Sequence, residues 1–199
     1  MKHLKIIFRL SVFVVLLLLG TSVAAQQSAI TNPDATHTDQ SLREHGFLLG
    51  YSRPFTKPVT YDVLLLGAEF VHPFPKSLKN DFVTWYVNPQ FNFVKADNTK
   101  SVDIEFGVNL GIRNYMRLNS NWYFYQMIGS GPHFISARLS RQTRGFIFSN
   151  NFALGSLVRI SGSHFLNLQL GFRHISNANL KLPNRGINSY VFTIGYSIL

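Results

Sequence analysis

A histidine and a serine stand two residues apart, His174 and Ser176, at the end of the run Leu166-Asn167-Leu168-Gln169-Leu170-Gly171-Phe172. On a β-strand, that spacing projects both side chains from the same face. The same face carries Leu166, Leu168, Leu170 and Phe172, so the pair is turned towards apolar surroundings. Serine is a weak nucleophile until a neighbouring base takes its proton. Neutral imidazole, with an ordinary pKa of about 6.5, can do so near neutral pH. A third polar group is needed to hold the ring, and asparagine can serve where an acid is absent. Asn188 opens a second alternating run that continues from Tyr190 to Ile198, and antiparallel pairing can set it beside His174 on the same face. Donors for a developing oxyanion lie between the two runs: the side chains of Asn177 and Asn184, or the backbone amides of Ala178 and Asn179. A base and a hydroxyl aimed at oily surroundings suit attack on an ester within a lipid.

The elements that must carry these residues are strands. Of the 199 residues, 46% are hydrophobic and 18 are Phe, yet after the N-terminal region no stretch is apolar for the ~18 residues a spanning helix needs. The apolar residues alternate instead, which is the pattern of a transmembrane β-barrel. About eight strands are expected on the alternation rule. They run over residues 44–53, 61–72, 82–95, 102–118, 122–139, 145–160, 165–176 and 188–199. The fourth is the clearest. Val102, Ile104, Phe106, Val108, Leu110, Ile112, Met116 and Leu118 share one parity; Asp103, Glu105, Gly107, Asn109, Gly111, Arg113, Tyr115 and Arg117 hold the other. Strands of a soluble sandwich are usually shorter, about 5–6 residues, so the length favours an all-β, eight-stranded antiparallel transmembrane barrel over a periplasmic binding sandwich. Pro89 removes a ladder donor from the third strand, which predicts a bulge or weak pairing there.

Residues 1–25 read as a secretory signal peptide: Lys2, Lys5 and Arg9 precede the apolar core Leu10 to Leu19, and Ser22-Val23-Ala24-Ala25 offers small residues for cleavage. Residues 26–43 form a short polar lead-in, and the barrel occupies 44–199. With the chain entering from the periplasm, odd-numbered strands run outward. The seventh then ends near the outer leaflet of the outer membrane. Formal net charge is +10, three of those charges lying in the leader. A basic surface on an exported protein suits phosphorylated lipid headgroups rather than nucleic acid. The absence of cysteine excludes disulfides and thiolate metal sites.

The motif around the pair is longer than His-x-Ser. The string His174-Ile175-Ser176-Asn177-Ala178, then Leu180, then Pro183-Asn184-Arg185-Gly186, closely resembles the signature of the outer-membrane lipid A 3-O-deacylases, the PagL family. That resemblance implies a barrel that removes an ester-linked acyl chain from lipid A of lipopolysaccharide, without a cofactor. It maps the nucleophile to Ser176, the base to His174 and an oxyanion-hole loop to Asn177 through Asn184, including Ala178 and Asn179. The family's acid maps to Asn188, and that is a departure: asparagine carries no charge to stabilise an imidazolium.

Elsewhere, His133 reads as a loop or rim histidine, and Trp122, Tyr123 and Tyr125 as interfacial girdle aromatics. Asp103 and Glu105 with Arg113 and Arg117 are expected to form an ion-pair network inside the barrel, because a lone buried charge is costly. His45, His72 and His164 have no ligand-like spacing, and no metal site is proposed. The competing reading is a non-enzymatic small structural or adhesive outer-membrane barrel with a decayed site. The sequence leaves room for a homodimer.

Overall fold

A computed structural model describes residues 42–74, 82–96 and 101–199. The leader, most of the polar lead-in and two connecting segments lie outside the described residues. Eight strands follow one another: β1 (Glu44–Pro54), β2 (Tyr61–Pro73), β3 (Val83–Ala96), β4 (Asp103–Asn119), β5 (Trp122–Ile135), β6 (Gly145–Ser161), β7 (His164–Ser176) and β8 (Ile187–Ile198). Each pairs with its neighbour in antiparallel fashion, and β1 pairs with β8, so the sheet closes on itself. Closure removes every edge whose unpaired amides would otherwise be stranded in hydrocarbon.

The alternation in the sequence becomes an inside and an outside. Along β7, Phe165, Asn167, Gln169, Gly171, Arg173 and Ile175 are buried in the lumen, while Leu170 and Phe172 are exposed on the outer wall. The other strands place Phe47, Leu66, Phe91, Phe106, Ile128, Leu154 and Phe192 outside in the same way. Pro89 weakens pairing as expected, but without a bulge. It keeps register with Val108 on β4, while on the β2 side the ladder lapses between Gly67–Gln90 and Phe70–Val87. The Asn88 side chain spans the lapse by donating through Nδ2 to the Ala68 carbonyl at 2.8 Å.

The lumen is filled in two layers. Towards the β4–β5 hairpin, Arg113 pairs with Glu44 at 2.8 Å and with Glu69 at 2.6 Å, all three fully buried, and its guanidinium lies 4.1 Å from the Tyr125 ring centroid. Above them Glu105 takes Arg173 and His133, the latter at 2.8 Å, and accepts a hydrogen bond from the Tyr61 hydroxyl. Closing the end where β7 finishes is an apolar cluster that includes Val63, Val94, Ile135, Ala137, Leu139, Ile147, Ile175 and Ile187.

Several expectations need correcting here. The ion-pair network exists, but its partners lie across the barrel. Arg113 takes Glu44 and Glu69, not its strand neighbours, and Glu105 takes Arg173. Arg117 is exposed and lies over the Tyr123 ring. Asp103 sits near the rim and accepts from Ser136 Oγ at 2.8 Å. His133 is not a rim residue; lumen parity buries it against Glu105. Of the three expected girdle aromatics only Trp122 is on the outer wall. Tyr125 is buried and donates to Asn167 Oδ1 at 2.6 Å, and Tyr123 packs on the inner cluster. The fifth strand stops at Ile135, not 139, because Ala137 and Leu139 turn inward to cap the lumen.

Removing one member of a buried ion pair leaves the other charge uncompensated, at a cost of about 3–5 kcal/mol. Arg173→Met is therefore expected to lower the barrel's unfolding free energy by that order in urea titrations from lipid vesicles. Combining it with Glu105→Leu should recover most of the loss; an unchanged midpoint in the single variant would remove this pair from the account of stability.

Candidate active site

The β7–β8 register pairs Phe172 with Tyr190, Arg173 with Ser189 and His174 with Asn188. Because parity alternates, Arg173 and Ser189 turn into the lumen while His174 and Asn188 emerge together on the outer wall. There the ring's Nδ1 lies 2.7 Å from Asn188 Oδ1. Ser176 is on the same wall, one outward position further along β7 and paired with Phe148 of β6. The Ser176 hydroxyl makes no hydrogen bond among the described residues, so the ring and the hydroxyl are neighbours that are not joined. Catalytic hydrogen bonds are often loose before substrate arrives.

Both partners of the pair are held from outside their own strands. The loop after β1 clamps Asn188: its amide donates to Thr56 Oγ1 at 2.9 Å, and its carbonyl accepts from the Phe55 amide at 3.0 Å. Phe55 lies on Tyr190 with centroids 4.6 Å apart. Gly186 backs the histidine. Its φ is +66°, and a Cβ built there would stand 2.6 Å from His174 Cε1 and 3.2 Å from Nε2. Only glycine meets both conditions at once, a left-handed backbone and a ring pressed against the α-carbon. Arg141, from the segment between β5 and β6, ties the same loop by donating from Nε to the Gly186 carbonyl at 3.3 Å.

Between the strands the Asn-rich loop is braced internally. Asn184 Oδ1 accepts from the Asn177 amide at 2.9 Å, Asn177 Nδ2 donates to the Lys181 carbonyl at 2.6 Å, and Asn184 Nδ2 donates to Asn179 Oδ1 at 2.9 Å. Ala178 and Asn179 follow Ser176-Asn177 with φ of +52° and +65°, a left-handed pair that the asparagine side chains stabilise. The structure thus brings His174, Asn188 and Gly186 into direct contact, sets Ser176 beside them, and spends the side chains of Asn177 and Asn184 on the loop itself. Thr56, Phe55 and Arg141 were not legible as site residues. The nearest signal was the Pro54–Pro58 bracket around the first loop, which marks a constrained turn but not what it clamps.

The sequence model of the family Lipid A 3-O-deacylase (PagL) matches residues 65–197, well over half of the chain. No curated protein matches. Among solved structures, the crystal structure of the outer membrane enzyme PagL is similar at a TM-score of 0.59 with 16% identity, covering 77% of this chain and 99% of that one. The N-terminal β-barrel domain of Pseudomonas aeruginosa OprF is similar at 0.47 with 10% identity, over 80% of this chain and 100% of its own. Neisserial surface protein A is similar at 0.49 with 8% identity, over 78% and 94%. With a matching family model over the strands that carry the site, and a closed eight-stranded barrel of the kind found in outer membranes, the chain belongs to the lipid A 3-O-deacylase (PagL) family.

Proposed function

We propose that this barrel is a serine-type esterase that removes an ester-linked acyl chain from lipid A in the outer leaflet, with Ser176 as nucleophile and His174 as base. The observation that carries this reading is the contact of His174 with Asn188 on the apolar outer wall, one outward position from a serine whose hydroxyl has no hydrogen-bond partner among the described residues. A hydrogen-bonded histidine is common in a lumen; one aimed at acyl chains serves no packing purpose there, and polar groups in that position mark function.

The steps follow from the residues. Asn188 Oδ1 accepts the Nδ1 proton, which leaves Nε2 bare on the side of the ring that can turn towards Ser176. Nε2 takes the hydroxyl proton as Oγ attacks the ester carbonyl carbon, giving a tetrahedral oxyanion. Collapse expels the sugar oxygen, which takes the proton from the imidazolium, and water then releases the fatty acid by the same route in reverse. The backbone amides of Ala178 and Asn179, presented by two left-handed residues just past the nucleophile, are the donors for the oxyanion; Asn177 and Asn184 hold the loop that presents them. No cofactor enters these steps. An uncharged Asn188 fixes the ring but lends less stabilisation to imidazolium than a carboxylate would.

Three substitutions test this account, each read by mass spectrometry of lipid A from cells making the variant. Ser176→Ala should fold, by heat-modifiable gel migration, and release no fatty acid; deacylation equal to the parent would defeat the assignment. Asn188→Ala is expected to slow release by roughly 10²-fold, the worth of a positioned base. Asn188→Glu should lose less, or gain, and a rate untouched by Asn188→Ala would take Asn188 out of the mechanism. Gly186→Ala forces a methyl against the imidazole and a left-handed φ on a residue that disfavours it by about 1–2 kcal/mol. It should cut turnover by roughly 10²-fold, as expected when a ring is displaced by about an ångström, while the barrel still forms.

A further inference from the structure

Five histidines lie among the described residues, and three of them have polar partners. His174 contacts Asn188, His133 contacts Glu105, and His164 Nδ1 lies against the Tyr196 hydroxyl. The side chains of His45 and His72 make no hydrogen bond among the described residues. These two stand at the end of the barrel away from Ser176. His45 is the second residue of β1 and His72 the last but one of β2. Across β8, His45 and His164 both pair with Ile198, at the start of β7. The two-residue connections β4–β5 and β6–β7 lie at this end, and short turns mark the periplasmic side of outer-membrane barrels.

Spacing along the chain hides the pair, and register brings it together. His45 pairs with Phe70, so His72 is its diagonal neighbour on the same outward face. Diagonal neighbours lie within reach of one another when the side chains carry rings. The two imidazole centroids are 5.8 Å apart, with the planes at 73°. Two imidazoles on one tetrahedral metal, each bonded through nitrogen at about 2.0–2.1 Å, place their centroids roughly 5 Å apart. A small side-chain rotation closes the difference. Aromatic neighbours set the two rings: His72 stacks on Trp85 with centroids 4.9 Å apart, and His45 meets Phe70 edge-on at 5.8 Å. Those contacts use the ring faces and edges and leave the nitrogen lone pairs over. An interfacial girdle asks for amphipathic rings and no more. Two unpartnered nitrogen ligands at chelating separation match an electrophile they can share.

We propose that His45 and His72 form a two-imidazole site for a divalent transition metal of the zinc class on the periplasmic rim. Imidazole suits zinc, copper and nickel, whereas magnesium and calcium prefer oxygen ligands. Among the described residues no group of three His, Cys, Asp or Glu side chains gathers round a point, so the protein supplies two nitrogens and water the remaining positions. Bound metal staples the start of β1 to the end of β2, and a ligand held by the folded chain alone stabilises that fold. The site is independent of the deacylase reading and adds no step to it.

The test uses the untagged protein in nonionic detergent micelles, with Cu²⁺ as the probe. The chain has two tryptophans, so Trp122→Phe leaves Trp85, stacked on His72, as the sole reporter. Cu²⁺ is expected to quench its fluorescence saturably; Zn²⁺ should reverse the quenching and Mg²⁺ should not. The copper EPR spectrum should show coupling to two nitrogens. His45→Phe and His72→Phe keep an aromatic ring on the outer wall while removing its nitrogens. Each should raise the quenching midpoint by roughly tenfold or more, because a chelate becomes a single contact, and reduce the coupling to one nitrogen. His164→Phe should leave both readouts unchanged. Quenching that does not saturate, or a midpoint untouched by His45→Phe, would overturn the proposal and leave these rings as girdle aromatics. A midpoint that shifts equally in His164→Phe would place the metal elsewhere and overturn it too.

Discussion

The pairing of β7 with β8 is the constraint on which the rest depends. A slip of one residue would turn every side chain of β7 to the other face and carry His174 and Ser176 into the lumen. The register is held from within. Arg173, the inward neighbour of His174, reaches across the barrel to Glu105, and its Nε donates to Ser149 Oγ at 2.8 Å. A buried charge of that kind is a weak source of net stability, but it has one acceptable address. Reversing the face of β7 would expose Arg173 to lipid and take its guanidinium away from Glu105. The ion pair inside the barrel and the histidine outside it are two consequences of a single alignment.

How far the amino-acid sequence exposes this depends on the range of each interaction. The barrel was legible because alternation is local: β4 states its inside and outside over some sixteen residues. The His174–Asn188 contact was legible too, since one hairpin and one parity suffice to bring them together. The lumen partners were not. Glu44 and Arg113 are 69 positions apart, and nothing local distinguishes that pairing from one with Glu105. His133 and Tyr125 were misplaced for a related reason. Aromatic and histidine side chains suit both an interface and a polar interior, so type alone does not choose between them, and parity does. The strand that ended early shows the same limit: Ala137 and Leu139 keep the alternation, but it serves a cap instead of a ladder. Thr56 escaped notice because its role is to hold another residue's backbone.

The site's electrostatics rest on surroundings as much as on residues. In an apolar medium a hydrogen bond between an imidazole and an amide is stronger than in water, and an unpaired polar atom is more costly. In the proposed mechanism, an uncharged Asn188 avoids burying a carboxylate beside lipid tails, and in exchange forgoes the attraction that would favour protonated imidazole. Braces from three separate segments, the loop after β1, the segment after β5 and the Asn-rich turn, compensate by fixing geometry where charge is lacking.

The apolar cap over the lumen has a consequence for supply. Among the described residues, Ile135, Ala137, Leu139, Ile147 and Ile187 pack across the mouth of the lumen, and the proposed reactive surface is the flank of the barrel. Molecules that meet this flank travel in the plane of the sheet of lipids that surrounds it. Encounter is then a two-dimensional matter, governed by lateral mobility and by how tightly neighbouring headgroups are cross-linked, so a stiffened membrane would throttle turnover without altering a single atom of the protein.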